Sequence, residues 1–272
     1  MIKPKLLAVY AALLLAGIIS VHSCTTVPVT GRKQVNLLPE SQMVGMSLTN
    51  YQEFLKTHKI STDAEKTAIV KRTGANISKA VEDFLKSKGK EKLLSNYAWE
   101  YNLVQEDVPN AWCMPGGKVV VYTGILPYTI TEAGLAVVMG HEVAHAVARH
   151  GNERMSQGLV LQFGGMALDV ALQEKPEATK ALFLQAYGLG SQVGVLLPYS
   201  RLHETEADKL GLIFMAMAGY DPEEAVKFWE RMAKAGGQKP PEFLSTHPGD
   251  EKRIADLKAF MPEAKKYYKP KQ

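Results

Sequence analysis

The sequence predicts an α+β fold that is mostly helical, with one small β-sheet beside a central helix. Capping patterns mark two helix starts, because Thr62 is followed three residues later by Glu65, and Thr129 by Glu132. Strand signals are confined to residues 97–123. No internal repeat or low-complexity block divides the 272 residues, so residues 39–262 are predicted to form one domain.

The N-terminus has the pattern of an export signal. Two lysines precede an apolar run from Leu6 to Val21, which is shorter than the roughly 20 residues that a membrane span needs. Residues 1–23 are therefore predicted to be a signal peptide. Cys24 follows a serine, as at a bacterial lipoprotein processing site, so we expect Cys24 to carry lipid. Cleavage nearby without lipidation, or an uncleaved anchor, are the alternatives.

Residues 24–38 contain turn residues and little periodicity, and we expect them to form a lipidated tether. Residues 263–272 are expected to be a solvated basic tail. The expected location is the cell envelope, facing the periplasm, with the lipid in the outer membrane. The net charge falls from +4 to +2 without residues 1–23, which contain two lysines and no acidic residue, and this argues against a nucleic-acid partner.

The strand region precedes the central helix directly. Residues 97–104 alternate between polar and apolar, residues 110–117 are rich in turn formers, and residues 118–123 have the strongest strand signal. Val119, Val120 and Val121 are therefore candidates for an edge strand that pairs with the backbone of a polypeptide substrate. A hairpin that only packs on the helices fits the pattern equally well.

The central helix is predicted from about residue 130 to about Gly151 and contains His141-Glu142-x-x-His145. His141 and His145 are about 40° apart around the helix axis, so their rings can bind one metal ion. Glu142 is rotated by about 100°, which suits a general base acting on a metal-bound water. The pattern is typical of zinc hydrolases and predicts one zinc ion per chain. A chance match on a buried helix is the alternative.

A zinc hydrolase needs a third protein ligand and leaves the fourth position for water. Glu204 and Asp208 are four residues apart and share one helical face, so Glu204 is the predicted ligand. Asp208 is placed to accept an imidazole N–H from a ligand histidine or to bond the reacting centre. Glu206 lies on the opposite face and is expected to face solvent. An ordinary solvated acidic face is the alternative.

These motifs resemble those of the HtpX-like zinc metallopeptidases, metallopeptidase family 48, which include the CaaX prenyl endopeptidase and periplasmic quality-control proteases. The resemblance spans about residues 25–262 and is closest to the small bacterial lipoprotein members. It rests on the zinc motif and on the following matches: Asn110-Ala111, Pro115-Gly116-Gly117, Ser200-Arg201-x-x-Glu204-x-x-x-Asp208, Ser245-Thr246-His247-Pro248 and Arg253-Ile254.

The resemblance implies a gluzincin-type domain with a small β-sheet beside the zinc helix. It also implies an envelope endopeptidase that hydrolyses peptide bonds of unfolded or misassembled proteins with a Glu-activated, zinc-bound water. The implied ligands are His141, His145 and Glu204, with Glu142 as the base and Asp208 as a supporting or proton-donating residue. Polypeptides are the expected substrates, and the membrane is the expected partner through the lipid anchor. An envelope chaperone or assembly factor with a metal site, or a zinc-stabilised structural lipoprotein, are the alternatives.

Three further side chains are candidates for oxyanion binding: His247, Arg201 and His203. His247 has a second hypothetical role, which is to occupy the open zinc position and hold the enzyme idle. Capping of the following helix is the alternative for His247. Residues 158–197 are apolar and rich in glycine, and we expect most of them to pack as core helix. A part that forms a mobile lid or rests on the membrane surface is the alternative. No segment after the signal peptide is expected to be long enough to span a membrane.

Overall fold

A computed structural model describes residues 24–27, 30–235, 242–247 and 251–270. The predicted signal peptide and the last two residues of the predicted basic tail lie outside these ranges. The predicted fold class is confirmed, since helices dominate and the sheets are small. The elements are β1 (Cys24–Thr26), β2 (Lys33–Val35), α1 (Glu40–Thr57), α2 (Ala64–Ser87), β3 (Glu100–Val104), β4 (Ala111–Met114), β5 (Lys118–Tyr122), α3 (Leu126–Thr129), α4 (Glu132–Val147), α5 (His150–Ala171), α6 (Glu177–Ser191), α7 (Leu197–Met217), α8 (Glu224–Ala235), α9 (Glu242–Thr246) and α10 (Glu251–Lys265).

The chain forms two compact units. The first comprises Met1–Glu40 and Arg149–Ser200, and the second comprises Ser41–Ala148 and Arg201–Gln272. In the first unit, β1 and β2 pair as an antiparallel ribbon. Arg32, just before β2, forms an ion pair of 2.7 Å with the buried Glu153 of α5. The segment predicted as a tether therefore contains a small sheet.

Helices α5 and α6 contradict the prediction that residues 158–197 form core. None of the residues whose burial is described between 157 and 200 is buried. Phe163, Leu182 and Val193 are 64%, 65% and 64% exposed. Within the described residues, α6, the π-helical segment Gln192–Leu196 and α7 run on as one helical stretch, Glu177–Met217, which is long and apolar enough to cross a membrane. The prediction that no such segment follows the signal peptide is therefore wrong.

The second unit contains a three-stranded sheet in the order β3-β5-β4. β5 is parallel to β3 and antiparallel to β4, with Val121 opposite both Leu103 and Ala111. Val119, Val120 and Val121 are fully buried, and both backbone edges of β5 are already paired. The prediction that these valines form the substrate edge strand is therefore wrong. The two outer strands of this sheet are β3 and β4, and β4 lies within the region predicted as a turn-rich connection.

Helix α4 lies in the core of the second unit and is buried from Gly134 to Val147. Its N-cap is Thr131, which accepts a hydrogen bond of 3.0 Å from the Gly134 N–H, whereas the predicted cap, Thr129, ends α3. The helix ends at Val147 because Arg149 adopts the left-handed conformation at φ 59°. The second unit also buries large apolar side chains on its other helices and strands, each of them at most 1% exposed: Val70, Ile77, Phe84, Leu103, Val120, Phe214, Phe228 and Trp229.

Candidate active site

The two motif histidines and Glu204 converge in the second unit. The Nε2 atoms of His141 and His145 are 3.0 Å apart. Glu204 Oε2 lies 3.2 Å from His141 Nε2, and Glu204 Oε1 lies 3.3 Å from His145 Nε2. Ligand atoms around a tetrahedral zinc ion with bonds of about 2.0 Å are separated by about 3.3 Å. The three side chains therefore have the spacing of a zinc ligand set.

His247 belongs to the same cluster. Its Nδ1 atom lies 2.8 Å from Glu204 Oε2 and 3.1 Å from His141 Nε2. One ligand atom from each of His141, His145, Glu204 and His247 lies within 4.8 Å of the others. The cluster thus offers four donors, three nitrogens and one oxygen.

Glu204 reaches the histidines because α4 and α7 approach each other at a pair of glycines. A Cβ atom added at Gly211 would lie 3.0 Å from the backbone N of His141, and one added at Gly140 would lie 3.1 Å from the carbonyl O of Gly211. Real side chains rarely pack so closely against backbone atoms. The crossing therefore requires glycine on both helices, and it places Glu204, two turns before Gly211, beside the imidazoles.

Asp208 and Arg253 hold the opposite side of His141. Asp208 Oδ1 lies 3.0 Å from His141 Nδ1, so the Nδ1–H can donate to this carboxylate and leave Nε2 for a metal. Arg253 donates to Asp208 over 2.6 Å and to Glu204 over 3.3 Å. Its guanidinium lies 3.5 Å from the centre of the Trp229 ring. Arg253 therefore connects two carboxylates of α7, those of Glu204 and Asp208, and stacks on Trp229.

The sequence did not predict these roles of Arg253 and Trp229. In the sequence, Arg253 belongs to the Arg253-Ile254 match of the family resemblance. Its spacing from the zinc motif indicates no contact with that motif. Arg253 is 6% exposed and Trp229 is 1% exposed. Trp229 lies in α8 and Arg253 lies in α10, about 100 residues after helix α4. Periodicity alone cannot show that these residues pack beside α4.

The charges of the cluster stabilise one another. Burial alone lowers the pKa of His141, but hydrogen bonds to Asp208 and Glu204 outweigh it and raise the pKa to about 9. Burial acts in the opposite sense on Glu204, and hydrogen bonds from His141, His145 and His247 hold its pKa well below the usual range. Burial also acts to raise the pKa of Asp208, but the charges and hydrogen bonds of Arg253 and His141 together outweigh it and lower the pKa. Both carboxylates of α7 are therefore negative near neutral pH.

Glu142 differs from these carboxylates. It is 5% exposed, and its Oε1 atom makes no hydrogen bond to the described part of the chain. The nearest ring nitrogen is His247 Nε2, at 3.4 Å. Burial raises the pKa of Glu142, and the nearby His247 and His141 rings only partly counter this shift. A buried carboxyl with an unsatisfied oxygen beside a donor cluster is suited to bind and deprotonate a water molecule.

The ring of His247 is held in place by aromatic packing. Phe243, one turn earlier, is fully buried and its ring centre is 4.6 Å from that of His247. Phe243 stacks on Trp229 at 5.8 Å and donates its backbone N–H to the Pro109 carbonyl over 3.2 Å. The packing of α9 thus directs His247 towards the cluster.

Arg201 and His203 do not join the cluster, although both were predicted as candidates for oxyanion binding. Arg201 is exposed, and none of the contacts found among the described residues connects it to the histidines. His203 is 2% exposed, and as the neighbour of Glu204 it is rotated by about 100° around the helix. Glu206 is also 2% exposed, so the expectation that it faces solvent is wrong.

The outer edge of β4 presents two residues, and at Ala111 the backbone N–H already donates to Asn110 Oδ1 over 2.9 Å. The Tyr122 N–H donates to the Asn110 carbonyl over 3.0 Å, which makes these residues a hydrogen-bonded pair. Because hydrogen-bonded and non-hydrogen-bonded pairs alternate in an antiparallel ladder, the backbone groups of Ala111 and Cys113 point away from β5. β4 also contacts the zinc-motif helix α4. Unlike β5, β4 is thus paired on one side only.

Several known proteins are similar to this chain in sequence. Metalloendopeptidase OMA1 of Homo sapiens mitochondria is 32% identical over 248 residues, which are 88% of this chain and 46% of that protein. The mitochondrial metalloendopeptidase OMA1 of Schizosaccharomyces pombe is 41% identical over 177 residues, or 63% of this chain and 49% of that protein. The beta-barrel assembly-enhancing protease of Escherichia coli is 30% identical over 166 residues, or 59% and 34%.

The chain spans about half or less of the length of these relatives. The profile of peptidase family M48 matches residues 71–261, which include every member of the histidine and carboxylate cluster. The match covers well over half of the 272 residues. The chain therefore belongs to peptidase family M48.

Proposed function

We propose that this protein is a zinc-dependent endopeptidase in which His141, His145 and Glu204 hold the metal. The supporting observation is the convergence of two imidazole nitrogens and one carboxylate at 3.0 to 3.3 Å from one another. Two histidines and one glutamate are a donor set found in catalytic zinc sites. The unsatisfied Oε1 atom of Glu142 beside this set also supports a site that binds water.

The bound zinc ion would lower the pKa of water and polarise the peptide carbonyl. Glu142 would take a proton from the attacking water and pass it to the leaving amine, because its raised pKa brings it closer to neutrality. Asp208 would keep the proton of His141 on Nδ1, and Arg253 would hold both carboxylates of α7 in position.

We propose that His247 closes the site in the form seen here. Catalytic zinc sites keep one position open, whereas His247 Nδ1 lies within 3.1 Å of donor atoms of two proposed ligands. Substrate entry would then require His247 to leave. His247→Ala is expected to raise cleavage of a short peptide and to weaken zinc binding, as measured by peptide hydrolysis and by competition with a chromophoric chelator. Unchanged activity with unchanged zinc affinity would remove both roles proposed for His247.

The substrates would be extended polypeptides that pair with the free edge of β4. Cys113 directs both of its backbone groups outward there and Ala111 directs its carbonyl outward, and main-chain pairing recognises any extended chain irrespective of its sequence. Unfolded and misassembled proteins expose such segments. We infer that these are the natural substrates.

The proposed location is the bacterial cell envelope, with lipid on Cys24 and the domain facing the periplasm. The basic and apolar residues before Cys24 support this proposal. Incorporation of a labelled fatty acid into the wild-type chain, lost in Cys24→Ser, is the expected result. Labelling that survives in Cys24→Ser would exclude this anchor.

The decisive experiment incubates the metal-loaded chain with unfolded casein, with and without a chelator. We expect cleavage that the chelator abolishes and zinc restores. Glu142→Gln should retain zinc and lose cleavage, because an amide cannot accept the proton. A protein that only holds or assembles clients would keep that holding activity in Glu142→Gln. Lack of cleavage by the metal-loaded wild type and by His247→Ala would favour a structural role for the zinc.

A further inference from the structure

The most unusual surface of this protein is the apolar hairpin, defined as residues 155–200 of α5, α6 and the helical turn that continues to Ser200. The peptidase chemistry uses none of it. Its exposed side chains are large and apolar, and their exposed fractions range from 38% to 65%: Met155, Val160, Phe163, Met166, Val170, Leu182, Phe183, Leu189, Val193, Leu197 and Tyr199. A water-soluble surface rarely presents so many together.

Charge is excluded from most of the apolar hairpin. Residues 155–168 and 181–200 contain no Asp, Glu, Lys or Arg. The charged residues of the hairpin all lie near its turn, at Asp169, Glu174, Lys175, Glu177 and Lys180. Two of these neutralise each other, since Lys180 Nζ is 2.9 Å from Asp169 Oδ1. Each arm is therefore uncharged along most of its length, and the charged residues lie at the turn that joins the two arms.

The uncharged arm at residues 181–200 has the length of a membrane span. Twenty helical residues extend about 30 Å, and the hydrocarbon core of a bilayer is about 30 Å thick. A buried core helix or an N-terminal signal also passes tests of length and hydropathy. Neither explanation applies here, because the apolar window of this helix is 0% buried and lies far from the N-terminus.

The two arms are joined by a hydrogen bond and a close contact. Tyr187 donates its hydroxyl to the Leu161 carbonyl over 2.9 Å. A Cβ atom at Gly164 would lie 2.3 Å from this hydroxyl oxygen, so the glycine makes room for the tyrosine. Close packing at small residues and hydrogen bonds between helices are the interactions that hold helix pairs together in lipid, where burial of apolar surface gives no driving force.

We propose that the apolar hairpin inserts into a lipid bilayer. This attachment is independent of lipid on Cys24 and of the peptidase chemistry. Along the chain, the uncharged arm ends four residues before Glu204. The hairpin would therefore place this peptidase on membranes and on substrates that are located there.

The test places a fluorescent probe at the middle of the uncharged arm. The full chain carrying Cys24→Ser, Cys113→Ser and Leu189→Cys is labelled with an environment-sensitive dye and reconstituted into vesicles of phosphatidylcholine and phosphatidylglycerol. The matched control is Met46→Cys, since Met46 on α1 is a 41% exposed apolar residue outside the hairpin. Nitroxide lipids labelled deep in the acyl chain or at the headgroup then report the depth of each probe.

Insertion predicts a blue-shifted probe at position 189 that deep nitroxides quench several-fold more strongly than headgroup nitroxides. The probe at position 46 should show neither effect. Leu189→Cys combined with Val193→Lys should reverse the depth preference without changing the circular dichroism of the chain in detergent. Equal quenching at both positions would overturn the proposal. A blue shift at position 189 without vesicles would also overturn it, because another copy of the chain would then cover the hairpin.

Discussion

The close crossing of α4 and α7 makes Gly211→Ala the most informative substitution outside the metal ligands. The new Cβ atom would lie 3.0 Å from the His141 N and 3.1 Å from the Gly140 carbonyl carbon, both backbone atoms that move only with their helix. Overpacking of this kind costs about 1–3 kcal/mol. Alanine gains about 1 kcal/mol over glycine in a helix. The expected net effect is a loss of up to about 2 kcal/mol in the free energy of unfolding.

Separation of the helices would also move Glu204 away from the imidazoles. A loss of about 1.4 kcal/mol in zinc binding corresponds to a tenfold weaker affinity. Urea unfolding of the metal-free protein measures the loss in the free energy of unfolding. Competition with a chromophoric chelator measures the loss in zinc affinity. Both changes should occur together, because one displacement of α7 causes both.

Gly45→Ala is the matched control for this prediction. Gly45 lies in α1 of the same unit, and a Cβ atom there would meet nothing within 4 Å. This substitution should stabilise the protein by about 0.5–1 kcal/mol and leave zinc affinity unchanged. If Gly211→Ala stabilises the protein as much as Gly45→Ala does and binds zinc normally, the glycine crossing does not position Glu204.

Three further predictions concern other contacts. Arg253→Met should destabilise the metal-free protein by about 3–5 kcal/mol in urea, because it leaves two buried carboxylates without their guanidinium, and Lys252→Met is the exposed control. Thr131→Ala should cost about 1 kcal/mol through the lost cap of α4, and an unchanged midpoint would exclude that role. Burial and the hydrogen bond to Glu132 raise the pKa of Tyr220 from 10.0 to about 12. Its neutral form is thus favoured in the folded state, so this stabilisation is present below pH 10 and decreases as the pH rises towards 12. Between pH 10 and 12, the urea midpoint of Tyr220→Phe should fall less steeply than that of the wild type.

Patterns within single elements determined most of what could be predicted from the sequence. The spacing of His141 and His145 placed two donors on one helix face, and the four-residue spacing of Glu204 and Asp208 did the same on another helix. Capping and strand patterns also located β5 and the starts of α2 and α4 to within a few residues. These features depend on neighbours along the chain, so the sequence contains all the information that they need.

Contacts between distant segments decided the rest. Nothing near Gly211 in the sequence indicates that it faces Gly140, and nothing near Arg253 indicates that it stacks on Trp229. The central position of β5 likewise depends on pairing with β3 and β4 on its two sides. The apolar residues 158–197 were predicted to be core because periodicity reports hydrophobicity and not what covers it. Only the packed chain shows that these side chains remain exposed.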